Sequence, residues 1–171
     1  MKKVKGFSYF ELILYVAILG FFVTTVVSYG WSAVFGGVRS AVEQEVSQNL
    51  RFVTHRINYE VRNSSGINSA TSGSLSLSYD DSLRNPTIID LSDGRVRIGY
   101  GSSGDCPVSS PCFLTSNDVT VTTLNFQKIA DPLDVSQSVK YTVSLEYNSQ
   151  SASFNWDKSQ TYNSSVMVRG N

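Results

Sequence analysis

The sequence predicts an α+β fold: a long N-terminal α-helix, hydrophobic in its first half and amphipathic in its second, followed by an antiparallel β-sheet that packs on the second half. Three observations predict it. Residues 7–27 read FSYFELILYVAILGFFVTTVV, long enough to cross a bilayer as a helix, which takes ~20 residues. Val38, Val42, Val46, Leu50, Val53, Ile57 and Val61 then recur at steps of three and four, one face of a helix. Beyond Asn63 the apolar residues alternate with polar ones, the period of a half-buried strand.

The elements follow in order. Lys2, Lys3 and Lys5 precede the apolar run, and positive flanks stay cytoplasmic, so the remainder should be exported. Residues 28–62 continue the helix with Glu43, Gln44, Gln48, Arg51 and Arg62 off its apolar face. Gly30, Gly36 and Gly37 interrupt this pattern and predict a bend or fraying there. Asn63-Ser64-Ser65-Gly66 is a cluster of cap and turn residues that should end the helix. Residues 74–79 put Leu75, Leu77 and Tyr79 on one strand face. Residues 87–91 form a short apolar run, Ser92-Asp93-Gly94 a turn, and residues 95–100 alternate through Val96, Ile98 and Tyr100. In 119–126, strict alternation sets Val119 and Val121 opposite Leu124 and Phe126. Residues 139–147 align Val139, Tyr141, Val143, Leu145 and Tyr147, and a last strand is expected over 164–169. One antiparallel sheet of five or six strands is the expected arrangement.

Composition excludes several functions. Among 171 residues, 14 are basic and 14 acidic, so there is no polybasic nucleic-acid surface and no acidic tail. One histidine and two cysteines are too few for a zinc site built from those residues. Cys106 and Cys112, outside the cytoplasm, are expected to form a disulfide. Gly99-Tyr100-Gly101-Ser102-Ser103-Gly104 matches a dinucleotide fingerprint in spacing, but Asp105-Cys106-Pro107 and Pro111 follow where a helix would have to start. A loop is the expected structure. His55 has no carboxylate–nucleophile order around it in sequence, so no catalytic residue is expected and the chain is read as a non-enzyme. Acidic residues fall at Asp80, Asp81, Asp90 and Asp93, and again at Asp131 and Asp134. Asp131 and Asp134 are the candidate calcium ligands. Acidic turns are commoner than calcium sites, so no metal or other cofactor is expected.

Glu11 is a carboxylate inside a spanning segment, which costs a few kcal/mol on insertion scales and needs a reason. Lys5-Gly6-Phe7-Ser8-Tyr9-Phe10-Glu11 resembles the processing signature of type IV pilins and type II secretion pseudopilins. The match lies at Gly6, Phe7 and Glu11; Ser8, Tyr9 and Phe10 replace commoner residues. The resemblance implies a leader peptide over 1–6, cut by a prepilin peptidase after Gly6, with Phe7 as the new, N-methylated terminus. It implies a hydrophobic transmembrane and filament-core helix over 7–28, an amphipathic helix half over 29–63 and a globular β-domain over 64–171. Glu11 becomes the fifth mature residue and would compensate the terminal amine of a neighbouring subunit, since a charge in low dielectric is tolerated only when paired.

Residues 48–62 and 113–126 look like the helix end and sheet of J-type minor pseudopilins and related minor pilins. Ser28 stands where many major pilins carry a helix-bending proline, and the cysteine pair is central rather than C-terminal. The implied role is a structural subunit of a type IV pilus or a type II secretion pseudopilus, in initiation or near the tip. The implied partners are other pilins or pseudopilins, the prepilin peptidase and the inner-membrane assembly machinery. The implied location is the inner membrane, N-terminus cytoplasmic, and then an extracytoplasmic filament. The competing expectation is a single-pass, membrane-anchored extracytoplasmic β-domain that binds a ligand or surface.

Overall fold

The computed structural model describes residues 8–108, 111–130, 136–148 and 158–169. Its chain divides into two units, residues 1–41 and 42–171. Among the described residues one helix, α1 (Tyr9–Asn63), is followed by seven strands: β1 (Gly66–Thr71), β2 (Ser74–Ser78), β3 (Thr87–Ser92), β4 (Arg95–Tyr100), β5 (Val119–Ala130), β6 (Gln137–Tyr147) and β7 (Ser159–Met167). The fold is α+β, with the second part of α1 packed against antiparallel sheet. Gly30, Gly36 and Gly37 do not end the helix. Their Cα positions are open, so each weakens propensity without admitting a competing contact.

The strands make two sheets, β1-β2-β3-β4 and β5-β6-β7, rather than the single sheet expected. Each is a meander of antiparallel neighbours. The second opens where the chain returns after the disulfide region, and it meets the first at few points. The Gly73 N–H donates to the Leu124 carbonyl at 2.8 Å, and the Val121 N–H to the Gly94 carbonyl at 2.8 Å.

Between them the sheets and α1 enclose one core. Val46, Val53, Ile57 and Val61 of α1 are fully buried, as are Leu75, Leu77, Ile89, Val96, Ile98, Val139, Val143 and Leu145. Burial of the helix stripe begins at Val42; Val38, which sits on the same periodicity, is exposed. The hairpin turn between β3 and β4 is two residues long, Asp93 and Gly94, both at positive φ (51° and 69°). An Asp-Gly pair suits that turn because its backbone twist matches the strands and glycine takes the left-handed region without cost.

Three strand expectations change. β1 contains only Ile67 as a large apolar residue, so it carries no alternation to detect. β5 has a bulge between Val121 and Thr123: Val121 pairs with Leu145 and Thr123 with Ser144. The extra residue reverses the parity, so Val119, Val121, Leu124 and Phe126 are all buried together. β7 occupies Ser159–Met167 rather than 164–169, because its early residues, polar and without apolar alternation, pair with β6 through the backbone ladder and through Thr161 and Asn163 side chains.

Candidate functional site

The first unit supplies an apolar helix surface. Ser8 opens the helix, its carbonyl accepting from the Glu11 N–H at 3.0 Å and the Leu12 N–H at 3.2 Å. Glu11 lies in the first turn, where the unpaired N–H groups favour an acid. Around and beyond it Phe10, Leu14, Phe21, Phe22 and Trp31 are exposed. No charged residue stands between Glu11 and Arg39. Three hydroxyls in this stretch bond within the helix: Thr24 to the Gly20 carbonyl (2.6 Å), Thr25 to Phe21 (2.8 Å) and Ser32 to Ser28 (3.0 Å). Lipid offers no partner to such groups, so internal bonding is what a spanning helix requires. The helix is long and apolar enough to cross a membrane. By length and composition it serves equally as an anchor or as a signal sequence.

Gly6, Phe7, Asp131 and Asp134 lie outside the described residues. Among the described residues no group of three or more His, Cys, Asp or Glu side chains is gathered for a metal. Three of the other acidic residues are structural. Asp90 faces Arg97 across β3 and β4 and takes both guanidinium arms, one at 2.9 Å. This charge-assisted pair holds the Arg97 guanidinium above its usual range. Asp81 organises the turn after β2 by accepting from the Leu83 N–H at 3.0 Å. Asp93 is the turn residue described above.

Cys106 and Cys112 form a disulfide with Cα atoms 5.0 Å apart. It closes a loop that borders β4: the Ile98 N–H donates to the Cys112 carbonyl and the Leu114 N–H to the Val96 carbonyl, both at 2.8 Å. The glycine-rich segment just before it is a turn. Tyr100 and Asp105 exchange backbone bonds at 2.8 Å, and a Cβ on Gly99 would collide with the Gly104 carbonyl. Among the described residues no helix follows, so the nucleotide fingerprint lacks the helix N-terminus that a phosphate site needs.

The second unit holds a polar centre that sequence reasoning missed. Glu60, on α1, is fully buried. Its carboxylate lies 2.9 Å from Arg56 and 2.7 Å from Arg84. It also accepts a short hydrogen bond from the Tyr79 hydroxyl, which lies 2.7 Å from the Glu60 carbonyl as well. Arg84 stacks over the rings of Tyr79 (4.5 Å) and Tyr100 (5.1 Å). Burial, then the hydrogen bond and charge of Glu60, push the Tyr79 phenol upward. Burial alone would lower the Arg84 guanidinium, but the Glu60 carboxylate holds it above its usual range. Two cations and a phenol thus surround one carboxylate. The centre ties the loop between β2 and β3 to the end of α1. A signal existed: Glu60 follows Ile57 by three residues, on the apolar stripe itself.

A second polar tie joins α1 to the segment before β5. The buried Asn49 accepts from the Ser116 N–H at 2.8 Å, while Ser116 Oγ donates to Glu45 at 3.0 Å. Tyr141 of β6 donates to Asn58 at 2.9 Å. His55 is exposed on α1 beside Arg51 and Tyr162.

No protein-family model matches the chain, and no curated protein or solved structure is significantly similar to it. The architecture, a long N-terminal helix with antiparallel sheet packed on it, is consistent with a pilin-like fold.

Proposed function

We propose that this chain is a structural subunit of a type IV pilus or a type II secretion pseudopilus, a minor pilin or pseudopilin of J type, and not an enzyme. The observation that carries the reading is Glu11. It is the single acid in an apolar helix that has no other charge before Arg39, and that helix runs into an α+β domain. A bare anchor gains nothing from a carboxylate in lipid. A subunit whose neighbour brings a cationic terminal amine gains a partner for it.

In this reading the prepilin peptidase removes residues 1–6 after Gly6, Phe7 becomes the mature terminus, and Glu11 pairs with the terminal amine of an adjacent subunit. The resemblance of 48–62 and 113–126 to J-type minor pseudopilins supports a place in initiation or just below the tip. The subunit waits in the inner membrane, N-terminus cytoplasmic, until the assembly machinery extracts it into the filament. The test is the mass of the mature protein. It should start at Phe7, and Gly6→Leu should leave the precursor uncut. A start near residue 30 would mean ordinary secretion and would overturn the proposal.

A further inference from the structure

We infer that the free edge of β7 takes up an extended acidic peptide segment as an added strand. The sheets' other edges are engaged. The edge of β4 bonds to Cys112 and Leu114, and β5 meets Gly73 and Gly94. The β1 edge is met by side chains: the Ile67 N–H donates to Gln137 Oε1 at 2.6 Å, and Lys128 Nζ donates to the Ile67 carbonyl at 3.0 Å. Among the described residues nothing pairs with the outer edge of β7.

The register says which groups face out. The Val168 N–H donates to the Gln137 carbonyl, and the Tyr147 N–H to the Lys158 carbonyl. These bonds and the pairing of β6 with β7 fix the even-numbered residues of β7 as those bonded to β6. Ser159, Thr161, Asn163, Ser165 and Met167 therefore turn their N–H and C=O groups outward. Natural edges are blunted by charge, proline or a bulge. β7, SQTYNSSVM, has no charge and no proline, and its pairing with β6 runs without a register shift. Such an edge is a template for a peptide backbone.

The flank of the edge selects the charge of that peptide. Two hollows lie where α1 and β7 run side by side. Arg51 and His55 line one with Tyr162, and Arg62 and Arg169 line the other with Met167. Among the described residues no carboxylate lines either hollow. The three arginines are exposed and form no ion pair among the described residues. A strand added to β7 would turn alternate side chains toward this basic flank, so carboxylates on alternate residues fit it.

The test uses the full chain in detergent micelles and a fluorescent peptide of about ten residues alternating Thr and Glu, long enough to match a typical strand. Binding should be saturable, and a Thr/Gln peptide should bind more weakly. Arg51→Glu with Arg62→Glu should weaken binding about tenfold. Ser165→Pro should abolish it while leaving the β6–β7 ladder intact, because the Ser165 N–H points away from β6. On the unaltered protein, amide exchange should slow on peptide binding at Thr161, Asn163 and Ser165, and not at the residues between them. Full binding by Ser165→Pro, or no alternating protection, would reduce the effect to surface charge and overturn the inference. Absence of peptide binding, or protection of the same amides by self-association of the chain alone, would overturn it too.

Discussion

Replacing Glu60 with alanine removes the one carboxylate at the polar centre and leaves both of its cations in place. Glu60 is fully buried, and its two guanidinium partners keep only 23% and 28% of their side-chain surface exposed. Breaking a buried ion pair from one side costs about 3–5 kcal/mol, because the remaining charge stays desolvated. Water reaches Arg56 and Arg84 in part, and Tyr79 retains the Glu60 carbonyl at 2.7 Å as a partner. The lower end of the range applies, about 3 kcal/mol. For a domain of this size that corresponds to a fall in Tm of about 10 °C. The assay is thermal unfolding followed by circular dichroism, with Arg84→Ala and the double variant completing a cycle. The double variant should lose much less than the sum of the single losses, since neither partner is then left alone. A loss below about 1 kcal/mol for Glu60→Ala, or simple additivity, would refute the claim that this pair ties the β2–β3 loop to α1.

Three further outcomes follow from the core. The Tyr79 phenol is raised above its ordinary value near 10 by burial and by Glu60. A raised value stabilises the fold fully below the unfolded-state pKa and is lost as pH rises through the folded one, so stability should fall above about pH 10. Tyr79→Phe should flatten that fall, with the similarly raised Tyr141 accounting for part of what remains; urea titrations across the alkaline range measure it. Ile57→Ala, at a fully buried site, should cost ~2–5 kcal/mol. A fragment beginning at Ser65 should fail to fold, and native-like unfolding of that fragment would show that α1 is not part of the core.

The parts of the fold legible in the sequence were those whose burial imposes a local period. The stripe from Val42 to Val61 reads as a helix because each turn buries one apolar residue. β2, β4 and β6 read as strands because Leu75 and Leu77, Val96 and Ile98, and Val139 to Leu145 alternate into the core. The bulge in β5 was hidden because one inserted residue leaves composition unchanged while reversing parity. β1 was hidden because one isoleucine makes no pattern, and the early part of β7 because its Ser, Gln, Thr and Asn residues pair through the backbone. The division into two sheets depends on contacts between distant segments, which no local period records. Glu60 illustrates the same limit at the polar centre: its place on the apolar stripe is visible in sequence, but its partner Arg84 stands 24 residues away. The reasons for singling out Glu11 were legible, since a lone acid in an apolar run is visible without any tertiary contact.

The most direct test of the central claim compares filament output with membrane level in a strain carrying Glu11→Leu. If Glu11 pairs with a neighbour's terminal amine during assembly, the leucine variant should be exported, cut after Gly6 and folded as before. It should sit at least as well in lipid, because a charge has gone from the apolar segment. Incorporation into filaments, or secretion that depends on them, should fall at unchanged protein level. Full output at normal membrane level would contradict the assembly role and favour a membrane-anchored domain that binds a ligand or surface.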